Sequence, residues 1–196
     1  MVIDERQAKV KAMRPDGITE GETLLVMRAQ CGDLAAFEQL LRNVYGPLRN
    51  YVVTLAGESD ADDILQEVAL KIHRKVRHLR EPSVFRAWVY RIATRAAFAH
   101  LKRAKRWRAL ENDPELYRSM AAANSNGSED FDTGFLRLVD HVSPASRAVL
   151  LLHYQQHLSL DETAAILDIP VGTAKSRLAY GVATIRKFVL GGNHEE

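Results

Sequence analysis

Apolar residues recur at steps of three and four along most of the chain. Phe37, Leu40, Leu41, Val44, Leu48, Tyr51, Val52 and Leu55 form one such stripe, and Ile64, Val68, Ile72 and Val76 continue it. Phe85, Trp88, Val89, Ile92 and Ala96 make a third, running towards Trp107. This spacing is the signature of helices with one buried face, and no stretch sustains the alternation of a strand. Gly32-Asp33 closes one helix and caps the next, and Gly57 with Ser59 repeats the device one helix later. Gly46-Pro47 falls inside a stripe, where proline predicts a kink or a break. Arg80 to Ser83 reads as a loop, with Ser83 capping a helix that begins near Val84.

The pattern resumes after residue 134. Phe135 to Val142 makes a short amphipathic start, and Ser143-Pro144 opens a helix with Ser at the cap and Pro in the first turn. Ser159 to Glu162 is a capping box that also sets two acids at a helix N-terminus. Leu160, Ala164 and Leu167 share a face of that helix, and Pro170 ends it. The next helix starts within Pro170 to Thr173 and buries Ala174, Leu178, Val182, Ile185 and Val189. Its opposite side carries Ser176, Tyr180 and Lys187, with Thr173, Lys175 and Arg177 beside them. The fold class is all α. Two small helical domains, residues 21–110 and 135–190, are joined by a segment at 111–134, with an extension at 1–20 and a tail at 191–196.

Composition narrows the class. The 196 residues are 46% hydrophobic and 27% charged, as in a soluble globular protein, and no apolar run approaches a bilayer span. The N-terminus mixes charges throughout and has no apolar centre, so it is not a secretory signal. A lone cysteine, Cys31, excludes an internal disulfide and a multi-cysteine zinc site. The expected compartment is the cytoplasm, with no membrane insertion, no cofactor and no metal.

The net charge of +2 hides a sorted distribution. Glu58 to Glu67 carries only acids, while Lys71 to Arg108 holds thirteen Lys or Arg against the single acid Glu81, a local charge of +12. That block is the footprint of a polyanion partner. Phe85, Trp88, Tyr90, Phe98 and Trp107 are interleaved with its cations, which suits tracking phosphates and stacking on exposed bases. Residues 111–134 are acidic, poor in apolar groups and rich in Asn, Ser and Gly, as in a flexible linker.

The stretch "LDETAAILDIPVGTAKSRL" (160–178) is a helix-turn-helix. On its own it fits a capped core hairpin as well as a DNA reader, since this geometry recurs widely. Thr173, Lys175, Ser176, Arg177 and Tyr180 give its second helix hydroxyls, a phenol and cations, which suit base edges and phosphates in a major groove.

Residues 158 to 186 resemble the C-terminal promoter-binding domain of extracytoplasmic-function (ECF) sigma factors. Residues 59 to 106 resemble their N-terminal domain, and the two blocks stand in the family's order. The resemblance spans roughly residues 21 to 190. It implies a subunit, not an enzyme, that docks on core RNA polymerase, recognises the minus-ten and minus-thirty-five promoter elements and promotes melting. It also implies an anti-sigma factor as partner. The docking motif falls on Asp63, Gln66 and Glu67, which share one helical face. The melting and minus-ten segment falls on Arg77, Arg80, Ser83, Phe85, Arg86, Trp88, Tyr90, Arg91 and Arg95, with the loop from Val76 to Val84 matching one that captures a flipped base. The minus-thirty-five readers are Thr173, Lys175, Ser176, Arg177 and Tyr180. The linker would thread towards the template and RNA path, or serve only as a tether.

Five positions depart from the family pattern. Arg95 stands where Asn is frequent, Ala69 and His73 replace an aromatic pair, Asp168 replaces Gly, and Thr163 replaces an aliphatic residue. Two other functions compete. A stand-alone duplex-DNA regulator needs only the helix-turn-helix and would not associate with polymerase. A nucleic-acid enzyme, including one holding Mg²⁺ on the 58–67 acids, lacks a phosphate-binding glycine loop and a nucleophile-base pair. The spacing of His153 and His157 is its nearest approach to a metal site.

Overall fold

The computed structural model describes residues 20–111, 135 and 138–191. The 1–20 extension, the 111–134 linker and the 191–196 tail lie almost wholly outside them. Among the described residues there are seven α-helices and no strand. The first four are α1 (Glu20–Gln30), α2 (Leu34–Ala56), α3 (Glu58–Lys75) and α4 (Phe85–Glu111). The 3₁₀ turns Val76–His78 and Pro82–Val84 connect α3 to α4.

The boundary between α1 and α2 follows from its residues. Gly32 takes φ +94°, open to glycine at little cost, and its N–H donates to the Ala29 carbonyl. Asp33 then accepts from the Ala36 N–H at 3.0 Å. One helix later the pattern differs from expectation. Gly57 (φ +99°) is itself the cap, and Ser59 lies in the first turn of α3. Helix α2 also runs unbroken through Pro47. Gly46 and Pro47 face solvent, so the carbonyl left unpaired meets water. Ala36, Leu40, Val44, Leu48, Tyr51, Val52 and Leu55, all buried on the other side, outweigh a proline penalty of about 3 kcal/mol.

Helices α2, α3 and α4 pack on one another. At their centre the fully buried Tyr51 shares a 2.7 Å hydrogen bond with Thr94, whose hydroxyl donates to the Tyr90 carbonyl. Burial pushes the Tyr51 phenol well above its ordinary pKa, so it stays neutral.

The second group comprises α5 (Pro144–Leu150), which runs into a π turn at Leu151–Gln155, then α6 (Leu160–Leu167) and α7 (Val171–Gly191). Ser143 caps α5 as expected. The Ser159 box is complete, with Ser159 N–H donating to Glu162 and Glu162 N–H to the Ser159 hydroxyl. Helix α7 packs closely on α5, and a Cβ on Gly181 would lie 2.8 Å from Leu150 Cδ1. That contact accounts for a glycine within a helix. The expected stripe of α7 holds from Ala174 to Ile185, but Val189 is exposed. Helix α6 stops at Asp168, in the left-handed region at φ 58°, two residues before Pro170. It buries Thr163, Ala164 and Ile166, while Leu160 and Leu167 are only half-buried.

The two groups share one continuous apolar core. Helix α6 rests on α4, and α5 rests on α2. Arg147 ties them together, donating to the Thr54 carbonyl on α2 at 2.8 Å and to the Asp140 and Val142 carbonyls at 2.7 and 3.2 Å.

Candidate nucleic-acid interface

Three surfaces carry the residues singled out by the sequence. The first lies between α2 and α3, where a groove of about 490 Å³ has an apolar floor of Leu48, Val68 and Ile72 and an acidic lip of Asp62 and Asp63. Asp63 and Gln66 are exposed on that lip, and Tyr45 stands beside it, also exposed. Glu67 is half-buried. It accepts from Lys71 at 2.5 Å and lies 3.9 Å from Arg103, and the Lys71 hydrogen bond is the main cause of its lowered pKa. Of the two substituted aromatic positions in this helix, Ala69 lines the groove and His73 packs edge-on against Phe37 at 5.2 Å.

The second surface is the turn between α3 and α4. The Gln30 amide donates to the Val76 carbonyl at 3.1 Å and to the Leu79 carbonyl at 2.6 Å, fixing the turn from α1. Beneath it is a recess of about 480 Å³ lined by Arg74, Lys75, His78, Leu79 and Trp88. An indole ring beside three basic side chains offers a stacking face and phosphate partners together. Sequence reasoning had Trp88 but missed Arg74, Lys75, His78 and Gln30. The cations were visible in the basic block, whereas nothing local tied Gln30 to a turn 46 residues away.

The other residues of this segment separate by burial. Arg77, Arg80 and Arg95 are exposed. Ser83 does not cap α4, because Pro82–Val84 forms its own turn and the Ser83 hydroxyl donates to Glu81. Phe85 is fully buried, so its ring supports the surface from within. Arg86 is turned inward onto the buried carboxylate of Glu22, at 2.9 and 3.1 Å. Tyr90 is also buried, and its hydroxyl donates to Gln156 of the second helix group. Arg91 and Arg95 lie against Asp168 at the end of α6.

The third surface is α7. Lys175, Ser176 and Tyr180 are exposed, and Thr173 and Arg177 are half-buried. The Ser176 hydroxyl donates to the Gly172 carbonyl. His153 faces the Leu158 carbonyl at 2.7 Å, and among the described residues no group of three or more metal-ligating side chains comes together.

Two family models match the chain: Sigma-70 region 2 over residues 36–107 and Sigma-70 region 4 over residues 134–185. The ECF RNA polymerase sigma-E factor of Escherichia coli is 30% identical over 168 residues, covering 80% of this chain and 88% of that relative. The chain belongs to the ECF sigma factor family. The sigma-E factor of Haemophilus influenzae is 27% identical over 165 residues, covering 79% and 87%. Two solved structures share the fold. One is CnrH in complex with the cytosolic domain of CnrY, at a TM-score of 0.64 and 20% identity, covering 88% of this chain and 99% of that one. The other is the sigma factor RpoE in complex with the anti-sigma factor NepR from Bartonella quintana, at 0.61 and 22%, covering 78% and 96%.

As an ECF sigma factor the protein binds core RNA polymerase, recognises promoter DNA and supports transcription initiation. Among the described residues no helix is long and apolar enough to cross a membrane.

Proposed function

We propose that the three surfaces divide the work of this sigma factor, which acts in the cytoplasm by binding and positioning and not by catalysis. Asp63, Gln66 and Glu67, with the groove they border, dock on core polymerase. Thr173, Lys175, Ser176, Arg177 and Tyr180 read the minus-thirty-five duplex. The α3–α4 turn and α4 engage the minus-ten element, with Arg77, Arg80 and Arg95 as the exposed cations. Phe85 and Arg86 hold that surface in place from beneath. RpoE from Bartonella quintana is bound by an anti-sigma factor, and the same class of partner is carried over to this chain.

The observation that carries the melting role is the Trp88 recess, where a ring, a histidine and two cations border the turn matched to base capture. Unstacking a base costs a few kcal/mol, and stacking on an aromatic ring returns about 1–3 kcal/mol. The test is open-complex formation by the holoenzyme on a promoter carrying 2-aminopurine at the upstream bubble edge. Trp88→Ala should lower the melted fraction roughly ten-fold or more, with Trp88→Phe retaining much of it. A folded Trp88→Ala protein that melts promoters like wild type removes Trp88 from the role.

A further inference from the structure

Asp168 sits where its own surroundings disfavour it. It ends α6 in the left-handed region at φ 58°, a conformation that suits glycine better. It also places a negative charge at a helix C-terminus, against the helix dipole. Nothing within α6 compensates, since the last turn of that helix contains no base. The compensation comes from across the chain. Asp168 Oδ2 accepts from Arg95 at 3.2 Å, and Oδ1 lies 3.8 Å from Arg91. Tyr90, next to Arg91 on α4, makes a second contact, to Gln156, so α4 is gripped from α6 and from the segment before it.

This closed form and a promoter-bound form are incompatible. Lys175 lies seven residues beyond Asp168, across the turn and about one helical turn into α7, so in the closed form its backbone stays within about 20 Å of the Asp168 backbone. The two promoter elements are separated by about 25 base pairs, or roughly 85 Å of B-form DNA. Arg95 and Lys175 can meet their elements together only after α6 leaves α4.

We propose that Asp168 is an intramolecular latch. Its carboxylate occupies Arg91 and Arg95 in place of minus-ten phosphates, so promoter DNA and α6 compete for the same guanidinium groups. The idea rests on the assignment of Arg95 to minus-ten DNA. It also joins two of the departures from the family pattern, which face each other in space.

The test uses the full chain with Cys31→Ser and spin labels on cysteines placed at Leu70 in α3 and Val189 in α7, both exposed. Asp168→Asn removes the charge and keeps a side chain tolerant of the left-handed region. Asp168→Gly removes it and relieves the backbone. Asp161→Asn, on an exposed acid of the same helix, removes equal charge without touching α4. Electron–electron resonance distances should shift towards longer separations in both Asp168 variants, with the open population rising about three- to five-fold, as expected for losing a solvent-accessible ion pair. Raising salt should open the wild type and leave the variants little changed. A fluorescent random-sequence single-stranded DNA should bind the Asp168 variants tighter by a similar factor, and Asp161→Asn like wild type. Distances that do not respond to Asp168→Asn overturn the latch. Opening without tighter DNA binding overturns the competition, and an Arg95→Ala arm locates that fault: if it too leaves DNA binding unchanged, the minus-ten assignment of Arg95 has failed rather than the latch.

Discussion

Replacing Thr163 by valine should make this protein more stable. Thr163 lies on α6 at 0% exposure, and its hydroxyl oxygen is buried with no hydrogen-bond partner. An unpaired buried hydroxyl costs about 1–3 kcal/mol. Valine has nearly the same shape and the same β-branching, so neither a cavity nor a change in side-chain entropy opposes the exchange. Exchanging the hydroxyl for a methyl also buries up to about 0.8 kcal/mol of apolar surface. The sum is a gain of about 1–4 kcal/mol, each kcal/mol being worth roughly 2–4 °C in Tm for a chain of this length. Urea unfolding at 25 °C, followed by circular dichroism, measures it directly, and the m-value should not change. Duplex DNA binding by α7 should also be unchanged, because Thr163 faces the core. A Thr163→Val protein equal to or less stable than wild type would mean that the hydroxyl is satisfied in solution, and the account of α6 packing would be wrong.

Three other outcomes follow from the same structure. Lys175→Ala and Arg177→Ala should weaken minus-thirty-five binding by about 1–3 kcal/mol where the side chain reaches a base, or lower the salt slope by about one for each lost phosphate contact; titrations at several salt concentrations tell these apart, and wild-type binding by the double variant discards the assignment. Gln66→Ala with Glu67→Ala should reduce association with core polymerase in a pull-down while leaving helix content intact, whereas undiminished association would move docking elsewhere. Asp33 has a lowered carboxyl pKa, chiefly because the Ala36 N–H and then Arg28 donate to it. Its stabilising contribution is therefore present above the unfolded-state pKa and lost as pH falls through the folded one. The urea midpoint of wild type should exceed that of Asp33→Ala at pH 7, the gap should begin to narrow only as pH falls past the unfolded-state value of about 4 and close below the lowered folded-state pKa, and a gap undiminished in strong acid would contradict the cap.

The helical stripes could be read from the chain because burial on one face leaves a period that needs no tertiary knowledge. Asp33, Ser143 and the Ser159–Glu162 box were equally plain, since a cap and its partner lie within three residues. Errors arose where distant packing overruled a local rule. Pro47 did not break α2, because the buried face of the helix outweighed it. Ser83 lost its capping role to a 3₁₀ turn held in place by neighbouring residues. Within the basic block, periodicity could not separate Phe85 and Arg86, committed to the interior, from Trp88 in its recess. The Arg95–Asp168 contact joins residues 73 apart, and each looked like an isolated departure from the family pattern. Only the fold brings them together.

The three surfaces would let one chain couple polymerase docking to the reading and opening of a promoter. In-vitro transcription with core polymerase on a promoter library measures this most directly. Transcripts should depend on the protein, come from promoters sharing two spaced elements, and be lost both in Gln66→Ala/Glu67→Ala and in Lys175→Ala/Arg177→Ala. Tight duplex binding by the protein alone, with no protein-dependent transcript from any promoter, would contradict it.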